Sequence, residues 1–508
     1  MQGCEVLPGS RGSAPCRVWG SAPTKGVSEL PKPYVAKNGI SVRMIKIEAE
    51  GKESLSGARL LDLSVKHAPN EHGRAFVLVE TNGDAGKKFM EDAKFENKVK
   101  ISVGKERQVI FLGNVLEANL ENCESSSFLS LELADTSYMS NIKQKSESFQ
   151  NSKKTYQDIL TKAFGSDGTV KLLSKLNKSI EKLVMQFGET NWEFAKRIAS
   201  RFNVPLISDI TAPKCSVFLG LNEGSGEFEL TTSRVSRYVE AEAFENVSKN
   251  YWLSKEKAMM ENFSGLRAES YDYAYLGNKV KLNGESYYIR KVFGKLSGGI
   301  LRMTYDLNKK ATGFLAPATQ HLNLAGRILT GAVKTVKKDK VQVHFVDIDK
   351  SYDSSGDIWF PYATAYSSKD GSGWYVMPEV GDYVRVLFPS NEESEAFASS
   401  AINLSPIEKV RNKSFKAPGG KEILLTDTGV EIICEHQKLF AKLEKGKGIS
   451  LISNKNINVS ADGDISMDAK GKVQIVSKKS IDLQAGSSHI KILSDQVSVG
   501  GNSIKLGE

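Results

Sequence analysis

From Ile449 onward the chain sets two apolar residues, two positions apart, on a fixed beat. The pairs Ile449/Leu451, Ile457/Val459, Ile465/Met467, Val473/Ile475 and Ile481/Leu483 begin eight residues apart each time. With small slips the beat continues at Ile490/Ile492, Val497/Val499 and Ile504/Leu506. Positions i and i+2 of a strand point to one face, so every repeat carries an apolar face and a polar one. Asp, Gly, Lys or Ser fills the turns between. An antiparallel meander is the ordinary reading of such strands, but meanders rarely hold one spacing for so long. A coil of one chain needs roughly 18 residues or more per turn to enclose a packed interior, and eight cannot close a turn. Three chains side by side supply about 24 residues per turn, which is enough. The beat therefore predicts a homotrimeric, intertwined β-helix. The pairs from Ile449 to Val499 form its trimerisation core, while Asp462, Asp464, Lys470, Lys472, Lys478 and Lys479 face water. Strands that pair with neighbouring chains leave no long free edge, and a rod of this kind should resist bending.

The rest of the 508 residues is ordinary in composition, with 40% hydrophobic and 25% charged residues, and its length suits about three domains. The net charge of +9 comes from Lys and Arg interleaved with Asp and Glu, so no nucleic-acid partner is expected. Five cysteines, at 4, 16, 123, 215 and 434, are widely spaced with no CxxC pair. They imply neither a disulfide framework nor a zinc site. No run reaches the ~20 apolar residues of a membrane span, and the Gly-, Pro- and Ser-rich start has no apolar signal core. Synthesis in the cytoplasm without a signal peptide is expected.

Turn formers without periodicity mark residues 1–35 as a loose arm. Short alternating runs such as GRAFVLVE, KVKISV and FLSLELAD read as a first β-barrel over 36–150. Helical spacing in YQDILTKAF and TNWEFAKRIASRF gives a helical insert over 151–204, with Thr190 or Asn191 capping its second helix. Alternation resumes at Pro205, so a second barrel is expected over 205–312, followed by a linker at 313–325. Five or so strands within 326–404 suit an OB-fold barrel. Residues 405–440 read as a neck with the first needle strands, and 441–508 as the trimeric needle. The expected fold class is thus mainly β: two hub barrels with a helical insert, an OB barrel and a C-terminal triple-stranded β-helix.

Three blocks of this sequence resemble the central spike proteins of contractile injection systems, the VgrG and phage tail hub-spike family. QFGETNWEFAKRIASRFNVPLI (186–207) is similar to the family's helical hub motif. GRILTGAVKTVKKDKVQVHFVDID together with DIWFPYATAYSSKDGSGWYVMPEVGDYVRVLFP (326–389) resembles its OB domain, with Trp374 and the Gly381-Asp382 turn in place. The octad needle is the third block. The resemblance spans most of 40–508. It implies that paired β domains from three chains form a pseudo-sixfold hub meeting a hexameric inner tube protein, with baseplate proteins and effectors as further partners. A PAAR-type tip protein would bind at Ile504 and Leu506, and contact with the target membrane would be transient. The particle would be assembled at the baseplate and propelled into a target cell or out of the producing cell. No cargo domain is expected beyond the needle.

No catalytic, cofactor-binding or metal-binding residues are expected. HAPNEHGR (67–74) carries His67, Glu71 and His72, but Pro69, Asn70 and Gly73 argue against the helix that a zinc-binding pair would need. GSGEFE and GGKEIL read as turns, lacking the following helix that phosphate binding requires. Glu392, Glu393 and Glu395 read as a solvated loop, and the ~45 residues between OB domain and needle are too few for a lysozyme-type domain. The competing reading is a carbohydrate- or peptidoglycan-active β-helix enzyme, which needs a wide single-chain solenoid and an acidic face. A receptor-binding tail fibre would need a globular head after the helix.

Overall fold

The structure is a computed structural model that describes residues 32–35, 39–50, 55, 57–123, 126–221, 227–249, 258–310, 319–402, 410–435 and 437–505. It divides into two compact units, Met1–Asn403 and Leu404–Glu508. Residues 1–31 of the expected arm, 313–318 of the expected linker, part of GSGEFE and Leu506 lie outside the described residues.

Alternation builds the first unit. In the strand Arg74–Thr81, Ala75, Val77 and Val79 are buried while the intervening side chains are not. Strands of this kind form one 13-stranded sheet. The segments expected as two separate barrels both feed it, because Val292 to Lys295 of the strand Glu285–Ser297 pair with His67 to Ser64 of Arg59–His67. Leu63, Val65, Ile101 and Leu131 share a single core with Tyr273, Ile289, Tyr305 and Leu307. Buried tyrosines tie the two halves: the Tyr273 hydroxyl donates to the Ile110 carbonyl at 3.0 Å and that of Tyr275 to Val109 at 2.7 Å. Alternation marks the face a strand buries but not the strand beside it. That is why the sequence did not reveal the shared sheet.

The helical insert forms as its caps dictate. Thr190 caps the helix Asn191–Arg201, with its hydroxyl and the Glu193 carboxylate closing a capping box, and Thr155 with Asp158 does the same for Tyr156–Phe164. One correction concerns residues 205–219, read as the start of the second β domain. Leu206–Ser208 and Cys215–Leu219 instead make a small sheet with Gly168–Leu172. Their Leu206, Val217 and Leu219 are buried against Trp192, Phe194 and Ile198 of the insert.

Strands Ile328–Lys337, Lys340–Phe345, Phe360–Ala363, Tyr383–Leu387 and Phe397–Ala401 close into a barrel. Val333, Val343, Phe345, Phe360, Val386 and Phe388 fill it. The turn before its fourth strand uses Gly381 at φ +100°, a conformation that suits glycine.

The second unit has a five-stranded antiparallel sheet, Lys413–Ala417, Lys421–Leu425, Gly429–Glu435, Leu439–Glu444 and Gly448–Ile452, and a three-stranded one, Ser480–Ala485, Ser488–Leu493 and Val497–Gly500. GGKEIL opens at a hairpin turn in which Gly419 and Gly420 both have φ near +80°. Within one chain, then, Ile449/Leu451 and the pairs from Ile481 to Val499 lie in meanders, the arrangement that the eight-residue beat argued against. Residues 453–479 between them form no strand and make no backbone–backbone hydrogen bond with any described residue.

Candidate functional site

The C-terminal unit is organised by one apolar face. Cross-strand pairing aligns Phe415, Ile423, Ile432, Ala441 and Leu451 in one row and Leu425, Val430, Leu443 and Ile449 in the next. In the three-stranded sheet Ile481, Ile492 and Val497 form a row, and Leu483, Ile490 and Val499 another. Opposed apolar pairs of this kind are the stabilising unit of a sheet face. Here the face is open: Ile449 is 73% exposed and Leu451 64%. The same holds for Ile457, Val459, Ile465, Met467, Val473 and Ile475, with Met467 at 76%. Ile504 is exposed too, and Leu506 lies outside the described residues. Among the described residues of this unit, Ile433 is the only buried hydrophobic one.

Phe415, Ile423, Leu425, Val430, Ile432 and Leu443 extend the ladder upstream of the residues the beat singles out. Their two-apart spacing at 423/425, 430/432 and 441/443 was visible, but the repeat length there is irregular.

The opposite face is mixed, with Leu424, Ile433, Phe440 and Ile452 beside Glu431 and Lys442. Lys442 meets Glu431 at 2.9 Å, Lys447 meets Glu444 at 3.0 Å and Lys438 meets Glu435 at 2.7 Å. Surface pairs of this kind stabilise little. Monomeric proteins rarely expose apolar patches beyond a few hundred Å². An apolar ladder of this length therefore has the character of an interface. The backbone of 453–479 says the same by another route. Local turns use serine, as where the amides of Lys455 and Lys479 donate to Ser453 and Ser477 Oγ, and among the described residues no amide or carbonyl of 453–479 has a backbone partner.

In the first unit, HAPNEHGR holds no helix. His67 ends the strand Arg59–His67, and Asn70 turns at φ +62°. His72 lies against Trp192, ring centroids 3.9 Å apart, and its Nδ1 is 2.7 Å from Ser137 Oγ. Burial pushes the His67 imidazole down to about 4 and that of His72 to about 3. Asp135, fully buried, accepts from Ser208 Oγ at 2.5 Å and from the amides of Gly73 and Ser137 at 2.6 and 2.9 Å. This network staples the sheet to the insert. Glu393 corrects the expected solvated loop: it is buried and ion-paired with Arg197 at 2.8 Å and with Arg201. Glu395 is exposed, as expected, and accepts from Ser390 Oγ. Trp374 of the barrel is exposed at the surface rather than packed in its core. Among the described residues no three His, Cys, Asp or Glu gather as a metal-holding group, and no helix is long and apolar enough to cross a membrane.

Residues 326–402 match the family described as the type VI secretion system/phage-baseplate injector OB domain. No curated protein matches the chain in sequence. Among solved structures, the chain is similar to the E. coli protein c3393, a type VI secretion component described as similar to the T4 bacteriophage tail proteins gp27 and gp5. Identity is 12% and the TM-score 0.50, covering 70% of this chain and all of that one. A chain of the lidded Francisella PdpA–VgrG complex is similar at 10% identity and TM-score 0.53, with 80% of this chain and 79% of that one covered. For the lidless PdpA–VgrG complex the figures are 10%, 0.51, 84% and 99%. At these identities the likeness is one of fold. The resemblance to VgrG-type spikes thus holds in sequence at the OB domain and in fold over most of the chain.

Proposed function

We propose that this chain is the membrane-puncturing spike of a contractile, phage-tail-like injection machine and that it works as a homotrimer without enzymatic activity. Three chains would turn their apolar ladders inward, from Phe415 to Val499, and close a prism whose charged face meets water. The observation that carries this reading is the coincidence, over 453–479, of an exposed apolar beat with a backbone that has no strand partner among the described residues of its own chain. Strands of other copies of the chain would satisfy both at once. Burial of apolar area stabilises by about 25 cal/mol per Å², and interstrand hydrogen bonds fix the register. A shaft built this way transmits axial force, while the sheet-rich first unit would seat on a hexameric tube and baseplate. Ile504 and Leu506 would meet a PAAR-type tip protein, and effectors would travel with the assembly. The absence of a wide single-chain solenoid in the described C-terminal unit favours this reading over a β-helix enzyme. Native mass measurement of the full chain tests it: the expected species has three times the 55.7 kDa chain mass, and a stable monomer would sink the proposal.

A further inference from the structure

Two apolar cores meet inside the first unit, and the seam between them is polar. Val65, Ala75 and Leu133 belong to the core of the large sheet, whereas Trp192, Cys215 and Val217 belong to that of the insert. Between them His67, Asp135, Ser137 and Ser208 are buried, with His72 stacked on Trp192. These five side chains form one chain of hydrogen bonds. Asp135 accepts from the hydroxyls of Ser208 and Ser137, and a hydroxyl has a single proton to give. Toward the histidines both serines must accept: Ser208 Oγ lies 3.3 Å from His67 Nε2, and Ser137 Oγ 2.7 Å from His72 Nδ1. Asp135 therefore sets both tautomers, with the proton on Nε2 of His67 and on Nδ1 of His72. The other nitrogens, His67 Nδ1 and His72 Nε2, are buried without a hydrogen-bond partner among the described residues. A second proton would have to enter there, and burial disfavours the ring cation it creates.

The surrounding groups do not relieve that cost. Near His72 stand the like-charged Arg74 and Lys196. His67 faces Ser208, with Asp135 one hydroxyl beyond, and on the neighbouring strand it pairs with the apolar Val292. Glu71 and Asp209, on the flanking loops, are held by Lys66 and Thr211. Near Asp135 the thiol of Cys215 is pushed up by burial to about 12, so it stays neutral in acid. We infer that this seam is an acid-sensitive joint: a proton from solvent on His67 Nδ1 or His72 Nε2 parts the insert and its small sheet from the large sheet, while both cores stay folded. Separate cores allow such a local opening without global unfolding. The joint lies within one chain, so it stands or falls independently of the trimeric spike.

Amide hydrogen exchange of the full chain at pH 7.5 and about pH 5, corrected for the intrinsic pH dependence of exchange, tests this. The reporting amides cross the seam: Asn70 donates to the Leu206 carbonyl, Leu206 to Asn70 Oδ1 and Leu112 to the Ile210 carbonyl. Closed, the rings titrate at about 4 and about 3; open, they return to 6.5. Each ring thus raises the opening constant about 30-fold over that interval. Asp135, whose carboxyl burial pushes up, offsets part of this. The expected result is a rise of about 30-fold or more at the three amides, with Leu131 and Leu160, buried in the two cores, unchanged. His67→Gln with His72→Gln should cut the response below about threefold, since glutamine takes up no proton. Exchange of the imidazole C2 hydrogens reads both rings in the unsubstituted chain and should find them titrating well below 6.5. Loss of protection at Leu131 and Leu160 together with the seam, a seam indifferent to acid, a Gln variant that responds like the parent, or rings that titrate near 6.5 overturns the inference.

Discussion

Arg197, on the helix of the insert, donates from Nη1 to Oε1 of Glu393 in the OB barrel at 2.8 Å, and both side chains are buried. Glu189 holds the same guanidinium from a second side, Nε to Oε1 at 2.7 Å and Nη2 to Oε2 at 2.9 Å. Burial alone would raise the Glu393 carboxyl, but Arg197 and Arg201 beside it hold it well below the usual carboxylate range. Removing one partner of such a pair leaves an uncompensated buried charge. Glu393→Ala should therefore cost about 3–5 kcal/mol. Replacing the triad with apolar residues, Arg197→Met with Glu393→Leu and Glu189→Leu, should cost much less, because no carboxylate is then left buried without its guanidinium. Urea unfolding of the full chain, followed by intrinsic tryptophan fluorescence, reads both.

His67 and His72 make the first unit sensitive to mild acid. Their folded-state pKa values, about 4 and about 3, lie below the ordinary 6.5 because burial disfavours the charged ring. The unfolded chain thus takes up protons that the folded chain refuses once pH falls below about 6.5. Stability is complete above that pH and declines toward pH 4, at up to about 1.4 kcal/mol per pH unit for each ring. Asp135, whose carboxyl burial pushes up, gains a proton while folded and offsets part of this loss. His72→Gln should flatten the fall between pH 6.5 and 4.5, as read from denaturation midpoints.

In the proposed needle the face of each side chain should decide its tolerance. Ile465→Asp should place a charge from each chain at the trimer axis, at a cost of several kcal/mol per unpaired group, and abolish assembly. Ser466→Asp, one residue on and on the other face, should assemble normally. Native mass of the two variants tells them apart.

Gly113 tests packing in the shared sheet. A Cβ there would stand 2.2 Å from the Ala134 carbonyl oxygen and 2.7 Å from Phe111 Cε1. The obstacle is paired backbone, which cannot move aside cheaply. Gly113→Ala should destabilise the first unit by about 1–3 kcal/mol, measured by thermal denaturation.

What the sequence disclosed follows from the range of its signals. Short-range signals were legible: the Thr190–Glu193 capping box, the alternation of Arg74–Thr81 and the Gly381 turn are all local chemistry. Partner choice was not. Nothing within 205–219 distinguishes pairing with Gly168–Leu172 from joining the large sheet, because both bury the same alternate face. Glu393 was misjudged for the same reason, since its partner Arg197 lies 196 positions away. The octad is local too: it marks a repeating apolar face, and the trimer that would cover that face is the proposal. Its regularity hid the upstream rungs Ile423, Ile432 and Leu443, where the apolar pairing persists but the spacing does not.

The central claim is that the backbone of 453–479 finds its partners in other chains, and amide hydrogen exchange of the assembled full-length protein reads that directly. The account predicts that amides within Ile457–Ile475 exchange slowly, with protection comparable to that of the strand Leu439–Glu444, although the described residues of one chain offer them no strand. Exchange of 457–475 at the rate of an unstructured peptide in the native protein would contradict it.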